Sequence, residues 1–205
     1  MKKIFIVLIL IFSFISKLYA ENSNKILIVY FSMPESIKTN GIDGVASASV
    51  QYFNGEKVGN TEKIAKIIRS QTRGDIYRIE TLFPYPTEHN QLVDYAEAQN
   101  NKQEKPALKN EIDNLDKYNT IFLGYPIWWY GFPMPVLSFL DKYDLSGKVI
   151  IPFSTHGGSR FSGTIEELKE LEPQANISEN GLTISRRNIK NSDLEIENWL
   201  KKLGY

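Results

Sequence analysis

The sequence predicts an α/β protein with a doubly wound, five-stranded parallel sheet in the strand order 2-1-3-4-5, the order common for such sheets. Two observations lead to this fold class. Five apolar, β-branched or aromatic runs alternate with five segments of helical periodicity. That alternation is typical of a parallel sheet with helices on both faces. Several of the runs are nearly continuous in apolar residues, as strands buried on both faces are.

The limits of the elements follow from the ends of these runs and from capping residues. The predicted strands are 25–32, 75–80, 119–126, 147–154 and 181–185, and the predicted helices are 59–70, 90–103, 133–143, 163–173 and 192–204. Asn60 or Thr61 is expected to cap the first helix. The segment 33–58, between the first strand and this helix, is longer than the usual 2–6 residues of a βα loop. We expect it to be a functional insertion or disordered.

Residues 1–20 are predicted to be a signal peptide, which leaves 21–205 as one domain. Lys2 and Lys3 precede an apolar run at 4–15, and Ala20 ends a cleavage site. The run is shorter than the roughly 20 residues of a membrane span, so an uncleaved anchor is the less favoured alternative. The segment has no Arg-Arg pair, which predicts the general secretory route and a periplasmic or extracellular protein with no stable membrane anchor after cleavage.

Composition excludes several classes of function. The chain has no cysteine, which rules out disulfides, thiolate nucleophiles and cysteine-ligated iron–sulfur clusters. Two histidines without cysteine give no persuasive zinc site. After cleavage, 21 basic residues face 24 acidic ones, a net charge of −3. A nucleic-acid-binding protein needs a strongly basic face, so nucleic acid is not an expected partner.

The predicted strand order places a ligand site where the order reverses, beyond the carboxyl ends of strands one and three. The loops at that point are 32–61 and 125–132. Ser32 lies on the first, which ends with Gly59, Asn60 and Thr61 at the start of a helix. Unpaired N–H groups and the helix dipole favour a phosphate there. The GNT motif at 59–61 has no lysine, unlike a Walker loop, which argues against a nucleoside triphosphate with magnesium. An ordinary helix cap is the alternative.

The second loop carries Trp128, Trp129 and Tyr130 between prolines that stiffen it. Aromatic side chains at this crevice predict a flat, largely apolar ligand. Adjacent side chains of an extended loop point in opposite directions, so one tryptophan is expected to cover the core and the other to contact the ligand. Trp129 is favoured as the contact, with Tyr130 at the outer edge.

A third loop, STHGGS at 154–159, is expected directly after strand four. Gly157 and Gly158 allow backbone N–H groups to approach a ligand edge closely, and His156 is a further donor. The other histidine, His89, is expected at the surface.

At these residues the chain resembles the flavodoxin-like proteins, in the branch with a long insertion ahead of its GNT. The resemblance rests on ILIVYFS, GNT, FLGYPIWWYGFPMPVLSFL and GKVIIPFSTHGGS, which follow one another in the family's order over 25–205. It implies bound FMN. The implied contacts are Ser32, Gly59, Asn60 and Thr61 with the phosphate, Pro126, Ile127, Trp128, Trp129 and Tyr130 with the isoalloxazine, and Thr155, His156, Gly157, Gly158 and Ser159 with its pyrimidine edge. Ordinary flavodoxins gather the phosphate contacts in one short loop, whereas Ser32 here is far from Gly59 along the chain.

The expected function is therefore that of an exported, FMN-binding redox protein. It is either an electron carrier or a quinone/NAD(P)H-type oxidoreductase, whose partner is a redox protein or a small-molecule electron donor or acceptor. The near-neutral charge and the 33–58 segment favour the enzyme. A Ser/His hydrolase with Ser32 as nucleophile and His156 as base is an alternative, although no Gly-x-Ser-x-Gly surrounds Ser32. A cofactor-free interaction domain is another. A phosphoacceptor domain is excluded, because such a domain needs an aspartate near the end of strand three and this chain has Gly124 there.

Overall fold

The computed structural model describes residues 25–36 and 49–205. The predicted signal peptide lies outside the described residues, as does the central part of the 33–58 segment. The strands are β1 (Ile26–Tyr30), β2 (Gln51–Phe53), β3 (Glu56–Val58), β4 (Asp75–Arg78), β5 (Thr120–Pro126), β6 (Val149–His156), β7 (Asn176–Ile177) and β8 (Leu182–Ser185). The helices are α1 (Asn60–Thr72), α2 (His89–Lys102), α3 (Met134–Lys142), α4 (Thr164–Leu171) and α5 (Asp193–Lys202).

The main sheet has the order β4-β1-β5-β6, and its last position is shared by β7 and β8, which both pair with β6. All of these pairs are parallel. The predicted order 2-1-3-4-5 is confirmed, with β8 as the fifth strand. Sequence reasoning missed β7. It pairs with the start of β6, from Val149 to Ile150, whereas β8 pairs with the end, from Phe153 to His156.

Side chains of the central strands divide the core into two layers. Leu27 and Val29 of β1 pack with residues of α2, α3 and α4 on one face. Ile28 and Tyr30 pack with residues of α1 and α5 on the other face. Successive residues of a strand point to opposite faces, so a continuous apolar run is what a strand covered by helices on both sides requires. The helical segments supply the covering stripes, such as Ile64 and Ile68 of α1.

The predicted cap of the first helix, Asn60 or Thr61, is wrong by one or two residues. Gly59 is the N-cap residue, and both predicted caps are helical residues instead. A carboxylate oxygen of Glu62 lies 3.5 Å from the Gly59 N–H. Glycine has no side chain to cap the helix, so the N–H group of Asn60 is left to find another acceptor.

The described end of the 33–58 segment is ordered as a two-stranded antiparallel hairpin, β2 with β3. Asn54 and Gly55 form its turn, with φ angles of 49° and 83°. Asn-Gly is the preferred pair for a type I′ hairpin turn because both central residues need positive φ. That dipeptide between QYF and EKV was the sequence signal for the hairpin, and the expectation of a loop or disorder overlooked it.

Within the described parts of the chain, no α-helix has the length and hydropathy of a membrane span.

One prediction concerns Glu172, which follows α4 and is only 9% exposed. Burial, and secondly the nearby charge of Asp144, raises the pKa of Glu172 to about 7. The folded state therefore holds a proton that the unfolded chain releases near pH 4.5, so this group reduces stability as pH rises from 4.5 to 7. Glu172→Gln should raise the free energy of unfolding by about 1–3 kcal/mol at pH 8 and change it little at pH 4.5. Urea denaturation of both proteins at the two pH values measures this. An equal effect at both would contradict it.

Candidate functional site

The carboxyl ends of β1, β5, β6 and β8 meet at a cleft, at the point where the strand order reverses. The turn after β5 and the loop after β6 form one wall, and the first turns of α2 form the other. The lining residues are Glu35, Ser49, Asn60, His89, Leu92, Val93, Ala96, Pro126, Ile127, Trp128, Trp129, Thr155, His156, Gly157 and Arg186. The predicted crevice is therefore present, and eight of the fourteen predicted site residues line it.

The amino end of α1 lies at one end of the cleft, and the folded chain brings Ser32 next to it. A Cβ atom at Gly59 would lie 2.2 Å from Ser32 Oγ and 3.0 Å from Ser49 Oγ. Only glycine permits this approach. The Asn60 N–H donates to Ser49 Oγ at 2.7 Å, and Gln51 Nε2 donates to Asn60 Oδ1 at 3.0 Å. Ser32 and Gly59, which the segment 33–58 separates in the sequence, are therefore neighbours in the folded chain.

Two hydroxyl groups near this end are buried. Ser32 is 1% exposed, and its Oγ has no hydrogen-bond partner among the described residues. Thr61 Oγ1 lies 2.9 Å from Thr155 Oγ1, within hydrogen-bond distance. Ser32, Gly59 and Thr61 stand behind the cleft lining, whereas Asn60 is part of it. A buried hydroxyl without a partner is uncommon and calls for an explanation.

The aromatic loop is a tight turn, and the expectation of an extended loop is wrong. The Trp128 N–H donates to Gly131 O at 3.2 Å, and the Gly131 N–H donates to Trp128 O at 2.9 Å. Trp129 and Tyr130 occupy the two central positions with φ angles of 47° and 64°. This is the sign of φ that a type I′ turn requires, and Asn and Gly usually supply it. Two large aromatic residues in this region carry backbone strain.

The turn directs its three aromatic side chains differently. The Trp128 ring packs edge-on against Phe31 at 5.2 Å between centroids and also contacts Tyr85 at 5.8 Å. Trp129 is 43% exposed and lines the cleft. Tyr130 is 77% exposed and lies outside the lining. Trp128 thus packs on core aromatics and also lines the cleft, so the expectation that only one tryptophan reaches the cleft is wrong. Trp129 is the more exposed of the two.

The strands β6 and β8 form another polar part of the cleft, which adjoins the amino end of α1 where Thr155 meets Thr61. Thr155 and His156 belong to β6 and pair with Ile184 and Ser185 of β8. The loop therefore begins at Gly157 and not at Ser154, because pairing with β8 extends the strand. Gly157 lines the cleft, but Gly158 and Ser159 do not.

His156 is buried, and its Nδ1 has no hydrogen-bond partner among the described residues. Burial, and secondly the positive charge of Arg160, lowers the pKa of His156 below its usual 6.5. The imidazole is therefore neutral at neutral pH, with Nδ1 available as a donor or an acceptor.

Sequence reasoning missed a carboxylate–imidazole pair in the cleft. His89 Nδ1 lies 2.6 Å from Glu35 Oε2, and Glu35 Oε1 accepts from the Ser49 N–H at 2.8 Å. The expectation that His89 lies on the surface is wrong, because the loop before α2 brings the start of that helix against the chain that leaves β1. Glu35 is in the 33–58 segment, where no sequence pattern marked individual residues.

Arg186 is the other residue that sequence reasoning missed. It directly follows β8, and its N–H donates to His156 O at 2.9 Å. The guanidinium lies over Gly157, where a Cβ atom would be 3.4 Å from Nη1. Its position after the fifth strand was a usable signal, since the carboxyl ends of all five strands meet at the same edge.

The geometry does not support a hydrolase. Ser32 Oγ and His156 Nδ1 each lack any hydrogen-bond partner within the described residues, so no bond between Ser32 Oγ and that ring nitrogen activates the hydroxyl as a nucleophile. In the same part of the chain, no group of three or more His, Asp or Glu is placed to hold a metal ion.

Comparison with known proteins identifies the relatives of this arrangement. The family model described as Flavodoxin matches residues 47–203. The chain belongs to the flavodoxin family. The predicted flavodoxin-like fold is thereby confirmed. A comparison with curated proteins gave no match.

Solved flavoprotein structures share the fold of this flavodoxin-family chain. A candidate flavoprotein of Bacteroides eggerthii DSM 20697 is 25% identical with a TM-score of 0.64, over 88% of this chain and 98% of its own. A candidate flavoprotein of Bacteroides uniformis ATCC 8492 is 24% identical with a TM-score of 0.66, over 87% and 98%. A flavoprotein of Lactobacillus acidophilus NCFM, solved in complex with FMN, is 19% identical with a TM-score of 0.58, over 87% and 99%.

The strain in the aromatic turn is testable at Tyr130. The left-handed region costs a residue with a Cβ about 1–2 kcal/mol, and glycine loses about 0.5–1 kcal/mol more chain entropy than other residues. Because the Tyr130 side chain is largely exposed, Tyr130→Gly should raise the free energy of unfolding of the flavin-free protein by about 0.5–1 kcal/mol. Denaturant titration measures this.

The matched control is Tyr52→Gly, because Tyr52 is also exposed but belongs to β2, where φ is negative. Glycine in that strand should lower stability by about 0.5–1 kcal/mol. Equal destabilisation by both substitutions would show that the turn is not strained.

Proposed function

We propose that this flavodoxin-family protein is an exported redox protein that binds FMN non-covalently in the cleft and transfers electrons through it. FMN is the cofactor that family membership implies. The observation that carries the proposal is one cleft that combines a phosphate-type seat at the amino end of α1, polar atoms beside β6 and β8 without partners among the described residues, and a tryptophan wall.

The seat at the amino end of α1 fits a phosphate group. N–H groups of a helix start point outwards, and the helix dipole favours negative charge there. Ser32 Oγ is buried next to Gly59 without a partner, which leaves its O–H free to donate to a ligand oxygen. The charge of Glu35 lies close by, but His89 and the Ser49 N–H engage its two oxygens. Ser32 and Asn60, with Ser49 as an addition, are the residues that would hold the phosphate.

The rest of the cleft fits a flat ring with one polar edge. Leu92, Val93 and Ala96 make the α2 wall apolar, and Trp129 offers an aromatic face opposite. A good aromatic pair contributes about 0.5–1.5 kcal/mol beyond its buried area. Beside β6 and β8, His156 Nδ1 and Arg186 Nε are buried without partners among the described residues. Carbonyl oxygens and ring nitrogens of a pyrimidine edge are the groups that such atoms bind.

Bound FMN supplies the transfer of one or two electrons. The chain positions the ring, excludes water from the face against the aromatic turn and keeps a neutral imidazole and a guanidinium at its polar edge. Electrons come from, or go to, a redox partner protein or a small molecule. The near-neutral charge of the domain favours an oxidoreductase acting on small molecules over a low-potential carrier, because a low-potential carrier benefits from an acidic surround that disfavours the reduced anion.

The phosphate seat is tested with Ser32→Ala. The loss of one hydrogen bond to a charged group should weaken FMN binding by about 1.5–3 kcal/mol and leave riboflavin binding unchanged, since riboflavin has no phosphate. Quenching of flavin fluorescence measures both affinities. Ser154→Ala is the matched control, because Ser154 Oγ is also buried without a partner among the described residues but belongs to β6, whereas Ser32 Oγ lies next to Gly59 at the start of α1. It should change neither affinity. Riboflavin binding to the parent protein as tightly as FMN would refute the seat.

The proposed export rests on Lys2, Lys3 and the apolar run at 4–15, outside the described residues. Cell fractionation followed by determination of the N-terminus should find the protein beyond the cytoplasmic membrane and beginning near Glu21. Leu10→Arg interrupts the apolar run and should keep the chain in the cytoplasm. A parent protein that stays in the cytoplasm and begins at Met1 would refute export.

A further inference from the structure

Arg186 is fixed at the polar end of the cleft by the sheet itself. The last pair of β6 and β8 joins His156 with Ser185, and the next N–H, that of Arg186, donates to His156 O at 2.9 Å. The side chain then crosses Gly157, where a Cβ atom would lie 3.4 Å from Nη1 and 3.5 Å from Cζ. These are ordinary van der Waals distances, so the guanidinium packs closely over the Gly157 backbone.

The charge of Arg186 is not balanced by the described residues. None of their ion pairs includes Arg186, and its Nε is buried without an acceptor. The two segments beside Arg186, 154–163 and 181–192, contain Arg160, Arg187 and Lys190 but no Asp or Glu. Glu35, which also lines the cleft, is engaged by His89 at 2.6 Å. A cation at a partly buried site without a counter-ion favours an anionic ligand.

The polarity of the cleft determines which end of the ring meets this cation. The part of the cleft beside β6 and β8 offers His156 Nδ1 and Arg186 Nε, which suit the carbonyl oxygens and nitrogens of the pyrimidine end. The dimethylbenzene end would leave these buried polar atoms without partners, which costs free energy, so the reverse orientation is disfavoured.

We propose that Arg186 sets the reduction potential of the bound flavin by binding its reduced form more tightly than its oxidised form. This inference rests on the proposed FMN site. Two-electron reduction of a flavin near neutral pH adds two electrons and one proton, which leaves a negative charge shared by the pyrimidine nitrogen and its neighbouring carbonyl oxygen. A guanidinium at that edge stabilises this charge, whereas oxidised FMN has none there. The preference for the reduced form raises the potential.

A raised potential also indicates the class of reaction. Carriers of low potential need a flavin whose reduced anion is disfavoured, and the cationic end of this cleft has the opposite effect. The flavin site therefore suits a protein that accepts electrons readily and passes them as a pair to an organic acceptor of higher potential, such as a quinone. Arg186 thus favours the reduced flavin over the oxidised flavin. The residues of the phosphate seat cannot do this, because the charge of the phosphate is the same in both redox states.

The test compares Arg186→Met with Arg187→Met. Arg187 is the next residue, is exposed and does not line the cleft, so both variants lose one positive charge from nearly the same place in the sequence. Fluorescence titration gives the affinity for oxidised FMN, and equilibration with a dye of known potential gives the midpoint potential. The two measurements together give the affinity for reduced FMN, since a tenfold difference corresponds to 29.6 mV for a two-electron couple.

Arg186→Met should weaken the binding of reduced FMN at least tenfold more than that of oxidised FMN, which lowers the potential by about 30 mV or more. Arg187→Met should change the same ratio by less than about threefold, because an exposed charge is screened by water and salt. Arg186→Lys should restore most of the potential, since it restores the charge. Denaturation of the flavin-free variants shows whether the fold is intact.

Two results would overturn the inference while leaving FMN binding in place. In the first, Arg186→Met weakens both redox forms equally, which would make Arg186 a contact that does not distinguish them. In the second, Arg186→Met and Arg187→Met lower the potential by the same amount, which would make the effect one of overall charge. Failure of the parent protein to bind FMN would overturn the proposed function and this inference with it.

Discussion

The parallel pairing of β1 with β5 is the constraint on which the site depends. Ile26 to Tyr30 pair with Thr120 to Gly124, yet the chain between them first crosses to β4 on the other side of β1. The loops that leave β1 and β5 therefore diverge to opposite faces of the sheet, and a cleft opens between them. The register brings Gly124 to the end of the β1 pairing, where a Cβ atom would lie 2.1 Å from the Phe153 ring. This glycine lets β5 pack between its neighbours at the base of the cleft.

The cleft that results has two polar parts of different chemistry, each made by a different part of the fold. One is a helix start with a buried serine, and the other is a pair of strand ends with an imidazole and a guanidinium. The two parts adjoin where Thr61 Oγ1 lies 2.9 Å from Thr155 Oγ1. Each contains a buried polar atom without a partner among the described residues, Ser32 Oγ in one and His156 Nδ1 in the other. Burial of such atoms costs free energy, and a ligand with polar groups for both would remove that cost.

The sequence was sufficient for the fold because the fold depends on regular patterns. The runs around Val29, Leu123 and Ile151 are buried on both faces, and their apolar character predicts that burial directly. The sequence did not predict β7, because a strand of two residues is too short to show an alternation of apolar and polar side chains. The turn at Trp129 and Tyr130 was also unpredictable, because residue preferences there point to an extended chain and tertiary packing of Trp128 on Phe31 overrides them. Glu35 and Arg186 reach the cleft through contacts between distant segments, which spacing along the chain does not reveal.

The hydrogen bond from the Asn60 N–H to Ser49 Oγ has a consequence for the flavin-free protein. A helix start that awaits an anion would ordinarily leave its N–H groups with water alone, and the first turn would tend to open. Here a neutral hydroxyl from the hairpin segment takes the place of a ligand oxygen. In the proposed FMN complex, a phosphate oxygen would take the place of this hydroxyl at the Asn60 N–H group, and the Ser49 hydroxyl would be free to donate to the same phosphate. Rotation of the Ser49 side chain would then be part of ligand entry.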